Sequence, residues 1–464
     1  VTGLPLDLVD AVWTDRPSLS HEPAWIMPLE HAGEERASKL ARVRKAMKEA
    51  GADLHILTSL DDIAWLLNIR GNDVKDNPVV MAYVIMDQEC VHLYTAEDAF
   101  SVEAAEALRE DGVICHPYGA VYADVPVITS GKSVLYNEEG TNYAIVCALA
   151  PDAVAICQEN PSQLMKAIKN PVEVERIRAA HVKDGIALTK FMYWLKQNRG
   201  KVPMTEISLG EKMESFRKEQ EGYLYPSFDP IVGYGVHGAI VHYSATPESD
   251  IPVEPRGLVL MDTGGQYLEG TTDITRTFAM GPVTEEEKKF FTLVLKGHLN
   301  LSGVKFRHGC TGMNLDYVAR EPLWQLGLDY NHGTGHGVGY LLNVHEGPNG
   351  FRWRRMPGKS EGAVFEEGMV TSNEPGFYLE GKFGVRHENL ILCKKAEKNE
   401  YAQFMQFENL TLVPFDLEAV AVSMLTEREK QLLNDYHRQI IDTVGPHLEP
   451  EELEWLKEAA APVI

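Results

Sequence analysis

Long apolar runs are missing from this sequence. No uninterrupted stretch approaches the roughly 18 to 20 residues of a membrane span, and the opening VTGLPLDLVDAVWTDRPS lacks the basic-then-apolar order of a secretory signal. The chain therefore reads as a soluble cytoplasmic protein. Asn300-Leu301-Ser302 and Asn409-Leu410-Thr411 match the glycosylation triplet, but so short a pattern arises by chance. Cysteine is scarce as well: the six, Cys90, Cys115, Cys147, Cys157, Cys310 and Cys393, include no C-x-x-C pair. That excludes a disulfide framework and a thiolate metal site, and predicts reduced, mostly buried thiols. Positive charge is in deficit, 44 Lys and Arg against 68 Asp and Glu for a net charge of -24. Such a surface repels nucleic acid and anionic membranes and weakly attracts cationic peptides. Two catalytic signatures are also absent. There is no G-x-S-x-G, and Gly131-Lys132-Ser133 has Pro126 where a phosphate loop needs its leading glycine.

What is present is enough chain for two or three domains, at 464 residues. From Glu34 to Ala50, Leu40, Val43 and Met47 recur at helical spacing and Gly51 follows, which predicts an amphipathic helix. Short β-rich runs follow at Leu54 (LHILTS), Val79 (VVMAYVIM) and Val91 (VHLYT), alternating with helical patterns such as Asp98 to Glu110. This is an α/β N-terminal domain. Between Pro161 and Arg199 the pattern is helical apart from Asn170-Pro171, where proline ends one helix and starts another. The domain boundary is expected near residue 165, giving domains 1-165 and 166-464. Helical stretches Glu173 to Gln197, Thr205 to Glu219 and Thr284 to Val304 surround a region dense in glycine, β-branched residues and histidine.

The chemistry is expected in that region. In GLVLMDTGGQYLEGTTDITRTF an apolar run ends at Asp262, Gly264, Gly265 and Gly270 permit a reversal, and an alternating strand carries Asp273 back. Alternation puts Asp273 on the face of Thr271, Thr275 and Thr277, with Ile274 and Arg276 opposite. A second hairpin has the same design: GMVTSNEPGFY leads to Glu374, Pro375-Gly376 begins the turn region, and FGVRHENLILC returns with Glu388. A single acid of this kind is usually a solvated strand end. Four in two matched hairpins are costly to bury as bare anions, and a cation removes the cost. Between the hairpins NHGTGHGVGYLLNVHEGP supplies His332, His336 and His345. The residues separating His332 from His336 are Gly, Thr and Gly, so this is a loop or irregular strand and not an H-E-x-x-H helix. One imidazole with four carboxylates suits Mn²⁺, Mg²⁺, Co²⁺ or Zn²⁺. Two ions roughly 3.5 to 4 Å apart can share a hydroxide, the pKa of the water falling from its bulk value towards about 7, which points to a hydrolase.

At this point the sequence resembles a known family. HGTGHGVGYLLNVHEGP, DTGGQYLEGTTDITRTF, SNEPGFY and VRHENL look like the metallopeptidases of the pita-bread fold, and most like aminopeptidase P of the soluble cytosolic type. The likeness runs from VDAVWTDRP and DDIAWLLNIRGNDVKDNP to LTLVPFD and NDYHRQI. It implies an α/β (α+β) chain: a creatinase-like N-terminal domain, then a pita-bread catalytic domain with a curved, mainly antiparallel sheet flanked by helices and a C-terminal extension. It also implies hydrolysis of the bond between any N-terminal residue and a penultimate proline, by attack of a metal-bridging hydroxide. By the same resemblance Asp262 is a terminal ligand of one ion, Asp273 and Glu388 bridge two, and His336 with Glu374 complete the second. Glu374 accepts the nucleophile's proton, His242 and His345 bind substrate and stabilise the tetrahedral intermediate, and His332 lines the proline-side pocket. Tyr378 and Arg386 support the carboxylates from behind, with ordinary packing and a surface ion pair as the alternative. The expected cofactors are two divalent ions, Mn²⁺ preferred over Co²⁺ or Zn²⁺, and the expected assembly is a homodimer without nucleic-acid or membrane partners.

Two departures accompany the match. His387 stands where relatives have an apolar residue, so it either alters packing or binds a surplus ion. The family's first N-terminal domain is expected to be missing ahead of Val1. The rival activities are an X-Pro dipeptidase (prolidase), with the same ligands, and a noncatalytic pita-bread binding module, whose members have usually lost them.

Overall fold

The computed structural model describes residues 8–355 and 362–464; readings that fall on residues 1–7 and 356–361 lie outside it. In the N-terminal part the amphipathic stretch forms the helix Arg36–Ala50, which buries Leu40, Val43 and Met47 and ends at Gly51, φ 73°. A helix end in the left-handed region is a position that glycine fills without strain. This helix packs on a six-stranded mixed sheet in the order Val113–Pro117, Val91–Thr95, Tyr83–Met86, Leu54–Leu57, Ser133–Tyr136, Val154–Cys157. The last is an exposed edge strand, and it carries Cys157. All six cysteines are free, but Cys115, Cys147 and Cys157 are exposed and Cys393 alone is buried outright. The expectation of mostly buried thiols is thus corrected, because two of the exposed three lie on the edge strands of this sheet.

Residues 168–170 separate the helices Pro161–Ala167 and Pro171–Asn198. Asn170 caps the second through its side chain, with Glu173 returning the bond and Pro171 in the first turn, where no N–H is needed. Beyond it the sheets are antiparallel. Leu258–Thr263 pairs with Ile231–Tyr234 on one side and Ile274–Ala279 on the other. A four-stranded sheet runs Lys305–Arg307, Gln403–Asn409, Asn389–Lys398, Val370–Asn373. Helices Glu285–Ser302, capped by Thr284 with Glu287, and Glu427–Val444 cover these sheets and bury Phe291, Leu295, Leu433 and Ile440.

Pro375-Gly376 does not begin the second hairpin's turn. Gly376–Leu379 continues as a strand paired with Phe383–Arg386, and the reversal falls at 380–382, where Gly381 has φ 73°. Both hairpins therefore break pairing in mid-course and resume it beyond, and the acids lie at or beside those breaks.

A buried polar network ties the N-terminal sheet domain to the loop between the hairpins. Lys169 Nζ donates to the Val338 carbonyl (2.6 Å) and to Glu346 (2.7 Å), while Lys166 pairs with Glu346 at 2.8 Å. The Asn343 N–H donates to Asp61 (2.9 Å), and Arg70 donates to the carbonyls of Tyr340 and Leu341 at 2.9 and 2.5 Å. Leu341 has φ 46°, a left-handed conformation that a branched side chain adopts only where surrounding bonds hold it.

Candidate active site

Asp262 is the fifth residue of its strand and faces Thr275 across the ladder; Asp273 lies just before the partner strand begins. The alternation read from TTDITRTF holds where the strand resumes. Thr275 donates its hydroxyl to Glu388 (2.7 Å), whereas Ile274 packs in a core cluster. Arg276, on that far side, lies under Phe415 with its guanidinium 4.2 Å from the ring. The second hairpin is stitched to the first: the Glu388 N–H donates to the Thr275 carbonyl (3.0 Å), and the Arg386 N–H to the Thr277 hydroxyl (3.2 Å). Glu374 is anchored by its N–H on the Thr334 carbonyl (2.8 Å) and receives the Ser372 hydroxyl at 3.3 Å.

His336 sits on a two-residue strand between Gly335 and Gly337, not on a helix. A Cβ on Gly335 would lie 1.8 Å from the Ser372 carbonyl oxygen, and one on Gly337 2.0 Å from that of Glu346. Gly335 thus lets the chain beside His336 lie against the strand Val370–Asn373, which Glu374 directly follows, and Gly337 lets it lie against Glu346. The ring donates from Nδ1 to the Gly337 carbonyl (2.9 Å), which leaves the lone pair on Nε2, 3.5 Å from both Asp273 and Glu374. Ligand atoms of Asp273, His336 and Glu388 all lie within 4.8 Å of one another.

All of these side chains, with His242, His332, His345 and Arg386, line one cavity of about 550 Å³. The ring of His345 meets that of His336 edge-on, centroids 4.3 Å apart. His332 donates from Nδ1 to the Gly333 carbonyl (2.7 Å) and takes the Tyr378 hydroxyl on Nε2 at 2.9 Å. Arg386 in turn donates to Tyr378 (2.8 Å) and to Asp262 (2.6 Å). The Arg386 ion pair is fully buried, which corrects the surface-pair alternative. His387 alternates to the other side, buried against Phe291 with ring centroids 4.2 Å apart. Burial, with Arg276 and His298 nearby, holds it neutral. It is a packing residue and does not line the cavity. The cavity walls that the sequence did not single out include Gln163, Phe228, Val241, Val344 and Arg352. Val241, Val344 and Arg352 stand close to the histidine motifs in the chain, whereas Gln163 and Phe228 carry no local signal.

The electrostatics favour a cation. Burial, then Asp262 and Glu374, pushes the Asp273 carboxyl well above its ordinary range, and burial with Asp273, Glu374 and Asp262 does the same to Glu388. Burial, opposed by Arg386 and reinforced by Asp262, takes Glu374 up to about 7. Arg386 bonds Asp262 alone of the four acids, and among the described residues the buried Asp262 Oδ1 has no hydrogen-bond partner. An oxygen-rich set with one imidazole lone pair and an orphaned carboxylate oxygen fits divalent ions of the Mn²⁺, Co²⁺ or Zn²⁺ kind. Burial, with Arg386 beside it, lowers His332 to about 3, so that ring is neutral.

An acid-rich cavity built from two stitched antiparallel hairpins, with the His336 imidazole set among the four acids, defines a metal-dependent hydrolase. Comparison with known proteins agrees. The profile of metallopeptidase family M24 covers residues 175–395, the creatinase/prolidase N-terminal domain 15–173, and the C-terminal region of peptidase M24 403–463. A probable Xaa-Pro aminopeptidase P of Arthroderma gypseum is 37% identical over 479 residues, covering 99% of this chain and 74% of that protein. Aminopeptidase P1 of Lotus japonicus is 35% identical, covering 98% of this chain and 79% of its own length. The X-prolyl aminopeptidase of Caenorhabditis elegans, described as a cytosolic enzyme with a di-nuclear active site, superposes with a TM-score of 0.93 at 36% identity, covering 99% of this chain and 76% of that one. The Xaa-Pro dipeptidase of Bacillus anthracis, 24% identical with a TM-score of 0.65, shares the fold. The chain belongs to the aminopeptidase P group of metallopeptidase family M24, an enzyme with a creatinase-type N-terminal domain and a pita-bread catalytic domain. Among the described residues no helix is long and apolar enough to cross a membrane.

Proposed function

We propose that this enzyme removes the N-terminal residue from peptides whose second residue is proline, and that Asp262, Asp273, His336, Glu374 and Glu388 hold two divalent ions for that reaction, Mn²⁺ preferred. The observation that carries the reading is the convergence of three buried carboxylates, the half-buried Glu374 and the His336 imidazole, its Nε2 3.5 Å from Asp273 and Glu374, on one cavity also lined by His242, His332 and His345. When bound, the ions supply Lewis-acid activation of water and polarisation of the scissile carbonyl. The chain's own residues do the rest. Asp262, oriented by Arg386, would hold one ion, His336 and Glu374 would hold the second, and Asp273 and Glu388 would serve both. Glu374, raised to about 7 by burial before any ion binds, takes the proton released by the attacking water. His242 and His345, at the open side of the cavity, bind the peptide and stabilise charge developing on the carbonyl oxygen.

A bond before proline is a tertiary amide without N–H, so its recognition rests on shape. The apolar wall of Phe228, Val241 and Val344, with neutral His332 fixed by Tyr378, accepts a pyrrolidine ring without needing a donor. We further assign the domains to residues 1–165 and 166–464, and read the protein as a cytoplasmic homodimer. The test is a comparison of an X-Pro dipeptide with an X-Pro-Pro tripeptide on Mn²⁺-loaded enzyme, with elemental analysis of the same sample. Tripeptide cleavage should dominate with about two ions per chain. Dominant dipeptide cleavage would instead identify a prolidase, and a metal-free, inactive protein a binding module.

A further inference from the structure

A second and larger cavity, of about 840 Å³, opens beside the active site and shares two wall residues with it, Gln163 and Arg352. Nothing in the chemistry above uses it. Its walls come from both halves of the chain: the start of the Pro161–Ala167 helix, the start of the Gly312–Trp324 helix, and the segment that follows His345. Met165 and Met313 give it apolar, adaptable surface. Its distinguishing feature is charge. Arg352, Arg354 and Arg355 all line it, with Glu159 as the sole acid among its described wall residues, in a chain whose net charge is -24. The Arg354 guanidinium lies 5.0 Å from the Trp353 ring, which itself meets Trp324 edge-on at 6.3 Å, so the arginine is braced by aromatic surface.

Resting on the peptidase reading above, we propose that this cavity is a distal subsite for the C-terminal portion of longer peptide substrates, selective for carboxylates. A peptide whose first two residues occupy the catalytic cavity leaves it between Gln163 and Arg352, the walls common to both. An extended chain advances about 3.3 to 3.6 Å per residue, so residues beyond the tripeptide enter the second cavity. Guanidinium forks match carboxylate geometry. A low-dielectric recess lined by one sign of charge also concentrates that attraction, whereas the acidic remainder of the surface repels it. The ligand class is therefore a peptide of more than three residues ending in a free carboxylate or carrying acidic side chains near its C-terminus.

The test uses Mn²⁺-loaded full chain and three substrates: an Ala-Pro-Ala tripeptide, a hexapeptide starting Ala-Pro and ending Asp-Asp with a free carboxylate, and its Asn-Asn amide counterpart. The acidic hexapeptide should have a KM about tenfold below the amide's at low salt, with kcat unchanged. Arg354→Ala with Arg355→Ala should abolish that difference and leave the tripeptide untouched, while the paired Lys variants should retain most of it. Equal KM values for the two hexapeptides in the parent enzyme, or a preference that survives the double alanine variant, would overturn the proposal. If the tripeptide itself is not cleaved, the peptidase reading fails separately. Fluorescence anisotropy of the two labelled hexapeptides then reads the charge preference without turnover, with equal affinity counting against the subsite.

Discussion

Asp273 stands among Asp262, Glu374 and Glu388 with His336 Nε2 3.5 Å away, and burial makes its charge costly. A neutral group of the same shape should relieve that cost while removing a ligand. Asp273→Asn is therefore expected to fold at least as stably as the parent, yet to lose bound metal and more than about 100-fold in kcat/KM, since even groups behind the ligands cost 10- to 100-fold. Elemental analysis after dialysis, paired with the tripeptide assay, checks both. Full turnover at normal metal content would refute its place in the site. Arg386 illustrates the opposite economy of charge. One buried guanidinium serves Asp262 directly and His332 through Tyr378, so a single side chain orients a carboxylate at the floor of the cavity and an imidazole on its wall.

At the scale of elements, the loop from His336 to His345 is short of regular structure and is held from outside. Lys166 and Lys169 grip Glu346, Asp61 holds Asn343, and Arg70 holds the strained turn at Leu341. Glu346→Gln leaves two buried ammonium groups short of their partner. Breaking such a pair costs roughly 3 to 5 kcal/mol, so denaturant unfolding should show a loss of that order. Because His345 is the next residue, kcat/KM should fall together with stability. Adding Lys169→Met to the same chain should recover part of the stability, since it removes one stranded charge, and little of the activity. An unchanged denaturation midpoint in Glu346→Gln would mean that the network does not hold the loop.

At the scale of the whole molecule, acid sensitivity follows from imidazoles buried in neutral form. His55, on the central strand of the N-terminal sheet, is lowered by burial to about 4, with its Nδ1 on the Leu135 carbonyl opposing the shift. The unfolded chain takes up this proton near pH 6.5 and the folded chain only near 4. Its contribution is thus fully present above about 6.5 and is lost as pH falls towards 4, by roughly 3 kcal/mol. His55→Gln should flatten the decline of the melting temperature between pH 6.5 and 4 relative to the parent. A decline of the same slope in both would show that this imidazole is not responsible.

Much of the candidate site was legible in linear form because its signals are local. Acids that interrupt apolar, alternating strands mark positions where a charge meets buried sheet, and Asn170, Thr205 and Thr284 announce helix starts by the bonds that their own side chains make. Glycine around His336 excluded a helix for the same local reason. Periodicity states which face a residue is on but not what that face meets. That Thr275 and Glu388 join the two hairpins, that Arg386 turns to Asp262 and His387 to Phe291, and that Glu346 finds Lys166 and Lys169 were decided by the tertiary structure. So was the arginine-lined cavity, whose walls are brought together from three separated segments. Each of these contacts joins groups distant in the chain, and their partners are chosen by which buried charges and apolar faces remain unsatisfied once the sheets and helices pack.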